Sequence, residues 1–123
     1  MSKTCRTLFE DLTAESLALK GAFQDATKYW APDEPPVTSL LATFANCLVD
    51  ASADPMVPGT ERALRIVEAA MVSGNVDLVT AVSTGFIEGL VASADRHGVL
   101  TQFLAALGPV SRSHADRWLS LEG

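Results

Sequence analysis

Cysteine, histidine, aromatic side chains and positive charge are all scarce in this chain, and each shortage removes a class of function. There are two cysteines, Cys5 and Cys47. They are far apart and stand in no CxxC, so neither a zinc site nor a disulfide framework is expected, and both should be reduced thiols. The two histidines, His97 and His114, fall on different predicted elements without metal-ligand spacing; no metal and no cofactor is expected. Nine Lys and Arg against fifteen Asp and Glu leave a formal charge of −6. A general grip on nucleic acid needs a basic face that displaces counterions, and that face is missing. The same sign argues against anionic membranes. No GxxxxGK[ST] loop is present, and no period of 30 to 45 residues marks a solenoid. The opening MSKTCRTLFEDL has no apolar h-region, so a secretory leader is not expected and the cytoplasm is the expected compartment.

What the chain does have is helix-forming apolar sequence. Apolar residues make up 48% of 123 positions, with Leu, Ala and Val dominating, which favours helix over sheet. The expectation is one all-α domain, residues 1–123, a compact bundle of five or six helices. Its organising stretch is Val76 to Arg96, VDLVTAVSTGFIEGLVASADR. At about 100° per residue, Asp77, Thr80, Thr84, Glu88 and Asp95 fall on one narrow line. Leu78, Val79, Val82, Phe86 and Leu90 form a broad apolar arc. The stretch is long enough to span a bilayer, but charges on its polar line make it the core helix of a soluble protein with one wetted edge. Gly85 and Gly89 lie four apart inside the arc. Interior glycines each cost roughly 1 kcal/mol of helix propensity, and the close approach of a neighbouring helix is the expected compensation.

Taken in order, Leu8, Leu12, Leu19 and Phe23 predict helix from about Thr4 to Thr27, with Thr7 and Glu10 as a capping box and Thr13 to Ser16 as a possible restart. Tyr29 and Trp30 are expected to pack. Ala31 to Pro36 breaks the helix with three prolines. Val37, Leu40, Leu41, Phe44 and Leu48 predict a helix ending near Asp50 to Ser52, capped by Asp33. Thr60 is the expected N-cap of Glu61 to Ser73, with Glu61 and Arg65 as an i,i+4 pair. Gly74 is expected in the left-handed conformation, folding the Val76 helix back antiparallel onto the Thr60 helix as a central pair. Arg96-His97-Gly98 stops that helix. Val99 to Leu107 and roughly Arg112 to Leu121 complete the bundle, the last capped by Ser111 or Ser113 and burying Ala115, Trp118, Leu119 and Leu121.

No catalytic constellation emerges. Ser111, His114 and Asp116 have the residue types of a triad, but triads converge from separated elements and these share one segment. Glu68 and Glu88 could sit on adjacent helices as an acid/base pair, yet both lie on polar stripes and are expected to face solvent. The chain is therefore not expected to be an enzyme. Residues 37 to 95 carry seven carboxylates against Arg62 and Arg65, and such a middle presents a negative face to a basic protein partner. The expected partner-binding residues are Glu61, Glu68, Asp77, Glu88 and Asp95.

Three further stretches carry a resemblance: the helix end Ser73-Gly74-Asn75, the run Val82-Ser83-Thr84-Gly85-Phe86-Ile87-Glu88-Gly89-Leu90, and Leu107-Gly108-Pro109-Val110-Ser111-Arg112 followed by Trp118. Together, over residues 60 to 120, they resemble small helical bacterial proteins encoded near polymorphic toxins and taken to be their immunity proteins. The resemblance implies binding and neutralisation of a cognate toxin domain. The alternative is a helical structural or regulatory subunit that acts by homo-oligomerisation.

Overall fold

The computed structural model describes residues 1–122. Its elements are α1 (Lys3–Glu15), α2 (Leu17–Trp30), α3 (Val37–Ala51), α4 (Pro58–Met71), a long α5 (Val76–Arg96), α6 (Leu100–Ala106) and α7 (Pro109–Glu122). The all-α expectation holds among the described residues, with seven helices instead of five or six. The N-terminal stretch supplies the extra one. Ser16 adopts extended backbone, and its hydroxyl accepts from Leu19 N–H, so α2 restarts there with its own cap. Ser2, not Thr7, caps α1; the Thr7 hydroxyl turns back to the Lys3 carbonyl.

Three other expected caps are not used. Asp33 does not cap α3, which begins after Pro36 without a side-chain cap. Thr60 lies buried inside the first turn of α4, which starts two residues earlier at Pro58. Proline suits that position, because its missing N–H would have been unsatisfied there anyway. Likewise α7 starts at Pro109, ahead of both Ser111 and Ser113.

One apolar core joins the seven helices, with Phe9, Leu12, Leu41, Phe44, Phe86, Ile87 and Phe103 among its most enclosed side chains. Phe9 meets Phe44 edge-on at 5.4 Å and Phe23 at 6.0 Å between centroids. The close approach expected at Gly85 and Gly89 is present, and the neighbour that makes it is α3. Gly85 lies against Thr38 and Leu41, Gly89 against Ala42 and Ala45, and His97 reaches Asp50 at 3.0 Å. Both numbers in this register rise together, so α3 and α5 run side by side in the same direction. The antiparallel neighbour of α4 is α1, where Glu15 meets Gly59 and Arg62 while Leu8 and Asp11 share a groove with Ile66 and Ala69.

Within α5, Val82–Ile87 is a π-helical turn, in which Glu88 N–H donates to the carbonyl of Ser83, five residues back. A π turn takes in one more residue than the α period allows, so side chains beyond it are rotated from where a uniform 3.6 spacing puts them. Gly74 carries the expected positive φ, 79°, and Gly98, the expected stop of α5, has φ 72°. The Asn75 side chain then accepts from Leu78 N–H and starts α5. Tyr29 and Trp30 do not pack into the core; they cross edge-on at 5.7 Å, and Tyr29 is 82% exposed. Leu121, also expected inside, is 85% exposed.

Candidate protein-binding surface

The five carboxylates expected to form a partner face are dispersed by the fold. Glu68 and Glu88, expected to face solvent, are half-buried and hold α7 in place. Glu68 accepts from the backbone N–H groups of Val110 (3.0 Å) and Ser111 (2.9 Å) and from the Ser111 hydroxyl (2.7 Å). The residue before α7 is Gly108, which has no side chain to cap with, so α4 supplies the missing acceptor across the helix interface. A Cβ at Gly108 would collide with the Glu68 side chain. Partial burial pushes the Glu68 carboxyl up, and the hydrogen bonds from Ser111 and Val110 outweigh that effect and hold it below its ordinary value.

Glu88 follows the π turn and accepts from His114 Nε2 of α7 at 2.9 Å. The two side chains are 24% and 21% exposed. Ser111 and His114 are therefore each engaged with a carboxylate of another helix, while Asp116 pairs with Arg112 at 2.9 Å; the three do not converge. His97 closes α5 with Nδ1 2.8 Å from the Ser93 carbonyl.

Glu61 pairs with Arg65, as its spacing predicts. Asp77 and Asp95 are exposed at opposite ends of α5, roughly 27 Å apart at about 1.5 Å per residue. Thus no single face holds all five. Cys5 and Cys47 are both free thiols. Burial, and secondarily Asp50, pushes the Cys47 thiol up and makes it less reactive.

A more coherent surface forms around α1. Its inward residues Leu8, Phe9 and Leu12 are buried, so consecutive residues Glu10 and Asp11 must point outward, about 100° apart. Glu10 leans over a hollow of about 510 Å³ between α1, α2 and the Ala31–Pro36 loop. Asp11 leans over a second, of about 480 Å³, where α1 meets Ile66, Ala70 and Leu78. Neither carboxylate has a cation within 4 Å among the described residues. Arg6, one turn before Glu10, turns instead to Glu34 at 3.5 Å. Leu78 of α5 lines the second hollow; its chain neighbour Asp77 is exposed, as are Val72 and Val76 on either side of the Gly74 corner.

Periodicity around the central helix does not mark this surface. The available signal was local: neither Glu10 nor Asp11 has a lysine or arginine three or four residues later, where Thr13, Ala14 and Glu15 stand. Comparison with protein-family models, curated proteins and solved structures finds no match.

Proposed function

We propose that this chain is a cytoplasmic immunity-type protein that binds and neutralises a cognate bacterial toxin domain through an acidic surface. The observation that carries this reading is the α1 ridge, where Glu10 and Asp11 stand without cations between two apolar hollows. Protein interfaces combine an apolar centre with a charged rim, and complementary charge speeds the encounter with a basic partner. The resemblance over residues 60 to 120 points to the same class. Those residues build α4 to α7 and hold them together, while the exposed ridge belongs to the N-terminal third. On this reading the C-terminal part of the chain is scaffold and the N-terminal third carries partner specificity.

Of the carboxylates first expected to touch the partner, Asp77 is the chain neighbour of Leu78, which lines the second hollow, and keeps its place in the proposal. Glu61 and Asp95 lie outside it, and Glu68 and Glu88 are engaged in holding α7. The test is co-expression of the chain with the product of the toxin gene adjacent to its own. The expected result is a complex that co-purifies and restores growth. If the adjacent product neither binds nor loses toxicity, the proposal falls.

A further inference from the structure

The hollow beside Glu10 has a composition that selects its occupant. Its floor is Phe9 and Pro35, both buried, with the half-buried Phe23 tilted 51° to Phe9. Its rim is acidic: Glu10, Asp33 and Glu34 are exposed, and only Glu34 has its charge answered, by Arg6 and the Met1 ammonium. At about 510 Å³ it falls within the ~300–1,000 Å³ span of pockets that enclose small ligands. That is ample for one aromatic side chain. The Tyr29 and Trp30 rings, left out of the core, stand in the chain directly before the loop that forms one wall.

We infer that this hollow receives a large apolar side chain, Phe or Trp, from a partner segment that carries lysine or arginine on either side of it. The proposal rests on the protein-binding reading above and adds the chemistry of the partner. The half-buried Phe23 offers aromatic surface for an anchor of the kind that dominates interface energies. Glu10 and Asp33, without cations of their own, are placed to meet the flanking charges. An acidic flank would meet like charge, and a segment without the apolar side chain would leave the accessible part of Phe23 in water. The second hollow does not select in this way, because its lining includes one carboxylate, Asp11, and one cation, Lys3, and so has no net charge of either sign.

The test uses the full chain labelled with ¹⁵N and three blocked tripeptides: acetyl-Lys-Phe-Lys-amide, acetyl-Glu-Phe-Glu-amide and acetyl-Lys-Gly-Lys-amide. The first should shift the amides of Phe9, Glu10, Thr27, Asp33 and Glu34 and bind about tenfold or more tightly than either control, since each control removes one of the two complementary features. Thr27 lines the hollow, is exposed, and hydrogen-bonds only back to the Phe23 carbonyl at 2.9 Å. Thr27→Trp should therefore fill the space and abolish the shifts. If that variant loses its helical signal, Glu10→Gln with Asp33→Asn serves instead, and should reduce binding of Lys-Phe-Lys to the level of Glu-Phe-Glu. Equal binding of all three peptides, or shifts elsewhere, overturns the inference. The adjacent toxin then separates the two readings. A toxin that binds wild type and Thr27→Trp equally removes the hollow and leaves the protein-binding proposal intact. Selective uptake of Lys-Phe-Lys by a chain that binds no toxin does the reverse.

Discussion

A methyl group added at Gly85 would lie 2.6 Å from the Thr38 carbonyl oxygen, whereas one added at Gly89 would lie 3.3 Å from the Ala42 Cα. The first cannot be accepted without moving backbone. Gly85→Ala should thus lower stability by about 1–3 kcal/mol, even though alanine gains roughly 1 kcal/mol of helix propensity. Gly89→Ala should be milder, and Gly89→Leu should approach the Gly85 effect by overpacking against Ala42 and Ala45. Thermal melts settle the order, and a melting temperature for Gly85→Ala at or above wild type would refute the close packing. A second residue, Glu68, ties stability to pH. Its folded carboxyl titrates below the ordinary 4.5, so the unfolded chain takes up this proton first as pH falls. The stabilisation is complete above the ordinary value and is lost as pH drops through the lower folded one. Glu68→Gln should cost about 1–3 kcal/mol at neutral pH, the usual range for hydrogen bonds to a charged group, and should flatten the acid limb of stability below pH 4.5. Denaturant midpoints measured against pH for both proteins would show whether it does.

At the scale of elements, α7 depends on neighbours more than on its own sequence. Ala115 is its fully buried apolar side chain, Trp118 and Leu119 are half-buried, and Leu121 lies outside. Its polar attachments to other helices are Glu68 at the first turn, Arg112 to the Leu104 carbonyl of α6, and Glu88 to His114. Glu68→Gln with Glu88→Gln should raise amide exchange across residues 110 to 121 while α3 and α5 keep their protection. Uniform protection in the double variant would show that packing and the Arg112 hydrogen bond to Leu104 hold the helix without the two carboxylates. This also explains what periodicity could and could not reveal. The limits of α5 were readable to the residue, since Gly74 and Gly98 punctuate both ends. The π turn was not, because one extra residue leaves no separate mark in a pattern of apolar spacing. Glu88 is placed beyond that turn, and so its inward role was missed. Glu68 was missed for another reason: Gly108 signals a helix start without a cap, but the acceptor that completes it comes from 40 residues earlier in the chain.

For the whole molecule, fold class was legible because burial in a helical protein repeats locally, every three or four residues. Which helices become neighbours was less legible, since Gly85 and Gly89 announce a close crossing without naming α3. The proposed binding surface was the least legible, for it rests on the charges left over after the fold has paired the others. Arg6 sits one turn from Glu10 in sequence, yet the fold directs it to Glu34 and leaves Glu10 bare. This sorting of charges also decides which variants change association. On the proposed function, Glu10→Lys with Asp11→Lys should slow association with the proposed toxin partner, most strongly at low salt, because exposed charges act mainly on encounter and are screened beyond about 10 Å at 0.1 M. Folding should be unaffected, as surface charges are worth roughly 0–1 kcal/mol. Asp77→Lys should have a weaker effect in the same direction, and Asp95→Lys, at the far end of α5, almost none. Association rates over a salt series discriminate among these variants. If Asp95→Lys slows binding more than the α1 pair does, the partner sits at the other end of the central helix and the α1 surface is not its site.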